Sequence, residues 1–349
     1  MRRKFKIGIW GQYGNGRIIA DGQAVRTTII TNELIKRYGR EKILIIDTNN
    51  WKKYPLFFLI RTIKMFLACE NIIIAPADNG YKVIAPLYYF LSIFFKRTLY
   101  DIVIGGYLPS LLKNKKFYIK CMKKYKALFV QTPNLKLELE NVGLYNVHIL
   151  SNLKRLSERK IEEIQINDSE KVFVCTLSRV TESKGIEDAM KAIRIANNII
   201  KKNVFYLDIY GIVANDYRET FEKLLVKNKD FVEYKGVIQY DKTVETLKNY
   251  FALLFPTYYY GEGFAGNIID CFYAGLPIIA TDWNYNSEII KNEINGMLVK
   301  IHHPDDIARA LIKLYYDRKL QWNICCNNII EAKKYSPERV LDILFKFLD

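Results

Sequence analysis

Short apolar runs rich in Ile, Val and Phe alternate with longer stretches of helical periodicity along nearly the whole chain. Runs of that length suit strands buried on both faces, and their alternation with helices is the pattern of stacked βαβ units. In the first part, strands are predicted at 5–10, 43–47, 72–75, 101–106, 127–132 and 147–150. Helices are predicted between them at 23–38, 54–69, 81–96, 110–125 and 133–141. The alternation resumes further on, with strands at 171–177, 205–211, 231–236, 250–256, 276–281 and 297–300. Helices there are predicted at 185–201, 217–228, 241–249, 266–274, 304–316, 320–334 and 337–348.

The stretch 156–170 is polar and holds no strong apolar run, so it reads as a linker. The expected architecture is α/β: two Rossmann-like, doubly wound domains, residues 1–155 and 171–335, facing a central cleft. Residues 336–349 open on Ser336-Pro337, a good helix start, and can cross back to the first domain. In sheets of this kind ligands bind beyond the carboxyl ends of the strands.

Composition narrows the picture. Half of the 349 residues are apolar, enough for more than one core. No window approaches ~18 consecutive uncharged apolar residues, so no transmembrane helix is expected. The basic start runs at once into a glycine-rich turn, which suits a first strand better than a signal peptide. Six cysteines form no CxxC pair, and three histidines are too few for a His-rich centre. Neither a disulfide framework nor a metal site is expected, and a reducing cytoplasm fits best.

Charge is unevenly divided. Residues 1–150 hold 25 Lys and Arg against 9 Asp and Glu, whereas residues 151–349 hold 28 of each. The whole excess lies in the first part, which points to an anionic partner for that part alone. It is densest at 113–126, where Lys113, Lys115, Lys116, Lys120, Lys123 and Lys124 flank a predicted apolar stripe of Phe117, Cys121, Met122 and Tyr125. With the aromatic runs 54–69 and 88–100, this suggests that those lysines face an anionic membrane surface, without an inserted anchor. No nucleic-acid-binding pattern accompanies the charge.

The densest chemistry lies at 255–281, FPTYYYGEGFAGNIIDCFYAGLPIIAT. A strand ends at Pro256, a glycine-punctuated loop carries Glu262, and a helix starts near Gly266. Backbone N–H groups there suit hydroxyls or anions, and Asp270, eight residues on, can line the same ligand. In 176–193 a strand delivers Arg179 and Lys184 into the start of another helix, a pairing suited to a diphosphate. The loop GQYGNG after the first strand brings Gly14 and Gly16, which let backbone approach a phosphate or an acceptor.

The segment 261–281 resembles the donor motif of GT-B glycosyltransferases of family 4, of the surface-polysaccharide type. Glu262, Gly263, Phe264, Gly275, Pro277, Ala280 and Thr281 match in register, while Ala265 and Asp270 replace a glycine and a glutamate. The Arg179–Lys184 segment resembles the same family, with Ser178 in place of a glycine. The resemblance implies a GT-B fold and a retaining transfer without metal from a nucleotide sugar, most often UDP-linked. The acceptor it implies is a lipid-linked saccharide at the inner face of the cell membrane.

It further implies that Glu262 contacts the donor sugar and Asp270 the ribose. Gly263, Phe264, Ala265, Gly266 and Asn267 would line the donor, and Val237 would hold the base through main chain. The histidine that many members carry after the strand at 101–106 has no counterpart, since Gly105, Gly106, Tyr107 and Pro109 stand there. His148 falls on a later strand, where a structural role is the commoner fate. Arg179 and Lys184 then carry the stabilisation of the leaving diphosphate, which itself serves as base. Two other readings of the chain are another GT-B enzyme, such as a sugar-nucleotide 2-epimerase, and a non-catalytic membrane-associated scaffold.

Overall fold

The computed structural model describes residues 4–14, 22–49, 51–76, 80–166 and 169–349. The chain divides into two compact units, Met1–Lys154 with Ser336–Asp349, and Arg155–Tyr335.

The first unit is built from β1 (Phe5–Gly11), α1 (Gly22–Tyr38), β2 (Ile43–Asp47), α2 (Pro55–Ala68), β3 (Cys69–Ile74), α3 (Tyr81–Phe95), β4 (Thr98–Ile102), α4 (Leu108–Leu112), α5 (Lys116–Met122), β5 (Ala127–Val130), α6 (Pro133–Asn141) and β6 (Val147–Ile149). Its strands form one parallel sheet in the order β2-β1-β3-β4-β5-β6. Helix packing on β1 is close: a Cβ on Gly8 would lie 2.7 Å from the Met65 side chain of α2. Beyond the carboxyl ends of the strands, buried Arg26 of α1 donates to the carbonyls of Val103, Leu150 and Ser151 at 3.2, 2.8 and 3.3 Å. Burial pushes its pKa down to about 9.

The second unit runs through β7 (Val172–Leu177), α7 (Ile186–Ile200), β8 (Phe205–Tyr210), α8 (Arg218–Lys227), β9 (Val232–Gly236), α9 (Thr243–Leu247), β10 (Leu253–Phe255), α10 (Gly266–Ala274), β11 (Ile278–Thr281), α11 (Asn286–Ile289), β12 (Met297–Val299), α12 (Pro304–Tyr316) and α13 (Arg318–Ala332). Its parallel sheet has the order β12-β11-β10-β7-β8-β9. The chain winds outward from β7 on one side and from β10 on the other, so the order reverses between these two strands. The dominant cores are the Val, Ile and Ala side chains of α7, α12 and the sheet on one side, and those around α10 on the other. The last helices, α14 (Pro337–Val340) and α15 (Asp342–Leu348), belong to the first unit. There the Tyr100 hydroxyl donates to the Phe347 carbonyl at 2.7 Å, and Arg37 and Tyr38 hold the Asp349 carboxylate.

Four expectations change. The helix predicted over 110–125 is broken into α4 and α5, with Asn114 between them in the left-handed region at φ +61°. Only Phe117 of the expected apolar stripe is exposed; Cys121, Met122 and Tyr125 are buried, because the segment packs on α3 and leads straight into β5. The six lysines are all exposed. The strand predicted at 101–106 lies earlier, at Thr98–Ile102, leaving Gly105 and Gly106 in a loop. The final helix over 337–348 is two short helices. Among the described residues, no helix is long and apolar enough to cross a membrane.

Candidate active site

The reversal of strand order decides which loops meet. Connections leaving β7 and β10 run in opposite directions, which opens a crevice at the carboxyl ends of these two strands. The loop after β7 carries Arg179 and Lys184, and the loop after β10 carries Glu262. Their tips are joined by hydrogen bonds from Tyr258 N to Ser183 O at 2.8 Å and from Thr257 Oγ1 to the same carbonyl at 3.4 Å.

Lys184 and Glu262, 78 residues apart in sequence, form a nearly buried ion pair with Nζ 2.5 Å from Oε2. The Thr257 hydroxyl donates to the same oxygen at 2.9 Å. Among the described residues no donor is recorded on Oε1, so one carboxylate oxygen is left for a ligand hydroxyl. The ammonium has three donors, of which Glu262 takes one. Gly185 makes the approach possible. Its φ is +70°, and a Cβ there would lie 2.0 Å from the Pro256 carbonyl oxygen, so only glycine lets the two loops touch.

Two features of this arrangement have no counterpart in the sequence reading. The Tyr259 ring lies near both cations, 4.9 Å from Lys184 Nζ and 5.9 Å from Arg179 Cζ. It steadies both by cation–π attraction. The second is a brace from the end of β11. Thr281 Oγ1 donates to Thr257 O at 2.5 Å, Trp283 Nε1 to Tyr259 O at 2.8 Å, and Asn284 Nδ2 to Tyr260 O and Glu262 O at 3.0 and 3.1 Å. The Glu262 loop is thus held through its carbonyls, leaving its side chain to pair with Lys184 and Thr257. The triple tyrosine at 258–260 was the one visible signal. Nothing local tells which of the three turns toward the cations.

The remaining candidates are dispersed around this centre. Gly263 precedes Phe264, whose ring turns into the core, edge-on to Tyr335 at 5.0 Å. Phe264 is therefore placed to line a ligand through its backbone. Ala265 and Gly266 open α10, and Asn267 Nδ2 pins that helix to the Leu177 carbonyl of β7 at 2.8 Å. Asp270 is buried one turn further on and accepts from Thr243 Oγ1 of α9 at 3.3 Å. The segment 237–242 leads from β9 to that helix, and Val237, at its start, is exposed. Gly236 N-terminal to it has φ +80° and accepts from Gly211 N at 2.8 Å.

Gly14, with φ +77°, belongs to the first unit, as do the lysines at 113–124, and Gly16 lies outside the described residues. His148 sits on β6 against the Phe347 ring at 4.6 Å, and burial lowers its pKa, which fits a structural role. Among the described residues no three His, Cys, Asp or Glu side chains converge as metal ligands would.

Similarity to known proteins identifies the family and the fold. The pattern of the family described as Glycosyl transferases group 1 matches residues 157–333, just over half of the chain and nearly all of the second unit. An uncharacterised glycosyltransferase of Methanocaldococcus jannaschii is 22% identical over 66% of this chain and 55% of its own length. The N,N'-diacetylbacillosaminyl-diphospho-undecaprenol alpha-1,3-N-acetylgalactosaminyltransferase of Campylobacter jejuni is 23% identical over 53% of this chain and 46% of its own length. The chain thus spans about half the length of the curated relatives it matches. The crystal structure of Anabaena HepE in complex with UDP superposes over 99% of both chains, with TM-score 0.73 and 12% identity, a likeness of fold. The chain belongs to the Glycosyl transferases group 1 family and has the GT-B fold of two Rossmann-like units.

Proposed function

We propose that the protein is a retaining, metal-independent glycosyltransferase of the family 4 type, using a UDP-linked hexose or N-acetylhexosamine. The acceptor is a lipid-linked saccharide at the inner face of the cell membrane, in surface polysaccharide synthesis. The observation that carries this reading is the Lys184–Glu262 pair at the point where the strand order of the second unit reverses. A carboxylate with one open oxygen suits a sugar hydroxyl, and the adjacent cations suit a diphosphate. The UDP complex of the similarly folded HepE and the diphospho-undecaprenol in the Campylobacter relative's name agree with donor and acceptor of these classes.

In this mechanism Arg179 grips the diphosphate bidentately and Lys184 adds a point charge, while Glu262 orients the donor sugar. The bond from the anomeric carbon to the diphosphate oxygen breaks as the acceptor hydroxyl attacks from the same face. The hydroxyl proton passes to the departing diphosphate, whose growing charge the two cations stabilise. Asp270 reaches the ribose and the main chain at Val237 the base. Residues 263–267 line the donor, and Gly14 and Gly16 let backbone approach a donor phosphate or the acceptor. The exposed lysines 113, 115, 116, 120, 123 and 124 draw the enzyme to anionic lipid.

Glu262→Ala is expected to lower kcat by about 10²-fold or more while a UDP-induced thermal shift persists. Transfer is read with a panel of nucleotide sugars and membrane extract as acceptor, and chelator should leave it unchanged. Undiminished turnover in the variant would remove Glu262 from the mechanism. Absence of turnover in the unmodified protein across the panel would favour a non-catalytic scaffold.

A further inference from the structure

The helices α2 and α3 of the first unit are apolar on more than their buried face. On α2, Phe58, Thr62, Met65 and Phe66 are buried, as the 3.6-residue period requires of a helix covering a sheet. Leu56, Phe57 and Ile60 on its other side are exposed by 69%, 55% and 46%. The same holds for α3, where Val83, Phe90 and Phe94 follow helical spacing and are exposed by 48%, 50% and 78%. The two helices pack against each other, and α5 packs against α3, with the exposed Phe117 ring 6.4 Å from that of Phe90. The result is one apolar surface shared by three neighbouring helices. Contiguous exposed patches of this kind mark interaction sites.

Charge indicates what covers it. Residues 51–126 contain 14 Lys and Arg against three acids, Glu70, Asp78 and Asp101. Asp101 is fully buried, and Asp78 lies outside the described residues. Basic side chains border the patch itself: Arg61 Cζ lies 5.5 Å from the Phe57 ring and Lys53 Nζ 5.5 Å from the Tyr54 ring. A second copy of the chain docking through this face would set these positive rims against each other. An anionic bilayer satisfies both features, taking the aromatic and aliphatic tips among its acyl chains and the cations at its headgroups.

We propose that the outer faces of α2 and α3 insert into an anionic membrane and that the α5 lysines form the rim of this site. This rests on the membrane reading of the function above and replaces its purely electrostatic attachment with a hydrophobic anchor. The patch belongs to the first unit, and Arg179, Lys184 and Glu262 belong to the second.

The test uses the full chain and vesicles of phosphatidylglycerol mixed with phosphatidylcholine. The triple variant Phe57→Ser, Phe90→Ser, Phe94→Ser changes only exposed side chains, and an unchanged Tm checks its fold. Its partition into vesicles should fall about a hundredfold, at low and high salt alike. Replacing Lys116, Lys120, Lys123 and Lys124 with Glu should weaken binding chiefly at low salt. All six native cysteines are buried, so Phe94→Cys can be labelled selectively with an environment-sensitive dye. That label should shift to the blue on vesicle addition and be quenched by brominated acyl chains, whereas one at Lys223→Cys on α8 should not.

An unshifted label at position 94, or wild-type partition by the triple variant, would overturn the inference. So would conversion of a dimer to a monomer by the triple variant, which would assign the face to a second copy. A UDP thermal shift measured in parallel separates the two readings. UDP binding without vesicle binding sinks the anchor alone, and vesicle binding without UDP binding sinks the donor site alone.

Discussion

The two units share a layout, a six-stranded parallel sheet covered by helices, yet use the carboxyl ends of their strands differently. In the second unit those ends hold an ion pair of opposite charges with open hydrogen-bonding capacity, braced by carbonyl contacts from β11. In the first, the described residues place Arg26 there with all three recorded contacts on main-chain carbonyls, a stitch between strand ends. The first unit instead directs its distinctive chemistry outward, as an apolar helix surface with a basic rim. Strand order is part of the reason. The second sheet reverses between β7 and β10, the two strands whose loops carry the charged residues, whereas the first reverses between β1 and β3. One layout repeated in a chain thus places its distinctive side chains differently, according to which loops leave the reversal point and what covers the helices.

The contrast can be broken most severely at Gly185. Alanine there meets both the left-handed φ and the Pro256 carbonyl, and should destabilise the second unit by roughly 3 kcal/mol in urea unfolding. It should also abolish the UDP thermal shift by displacing Lys184. Gly236→Ala, with a similar φ of +80° but nothing within 4 Å of a new Cβ, should cost only about 1–2 kcal/mol. Equal losses at the two positions would show that strain, not loop contact, governs both.

A smaller effect is expected at Asp270. Its replacement by alanine should raise the donor KM about tenfold through a lost charged hydrogen bond, with kcat changed by less. A matching fall in kcat at unchanged KM would move Asp270 from ribose binding to the transition state.

The smallest effect sharpens the first unit. Burial holds the Asp101 carboxyl well above the usual carboxylate range, partly opposed by the Tyr81 hydroxyl that donates to it at 3.1 Å. A raised carboxyl pKa means stability that is complete below the unfolded value of about 4 and is lost as pH rises toward the folded value. Asp101→Asn removes that titration and keeps an acceptor for Tyr81. The variant's Tm should therefore exceed the parent's by about 2–4 °C at neutral pH, with the gap closing toward pH 4. A lower Tm at neutral pH would show that the charged form is stabilised in the fold.

Much of the architecture was legible because it is local. The period of apolar positions predicted α6, α10 and α12 at their observed bounds, and most strands to within a few residues. Where it failed, at 110–125, the same apolar residues fitted a single helix by spacing, and only the entry into β5 decided that Cys121, Met122 and Tyr125 go inward. The loops carrying Lys184 and Glu262 were legible too, since glycines, charges and adjoining strand ends lie together in sequence. Their pairing was not, because contact across 78 residues depends on sheet order and on the space a glycine leaves. Nor was the role of Tyr259, one of three consecutive tyrosines with no local feature to separate them.

By itself, then, the sequence determined the alternation of strands and helices, the confinement of excess positive charge to the first part, and the loops that carry the candidate chemistry. These follow from side-chain periodicity, composition and local backbone preference. The tertiary structure decided which charges neutralise each other and which apolar faces remain outside. Both depend on what residues distant in sequence leave covered, and burial is a property of the assembled layers.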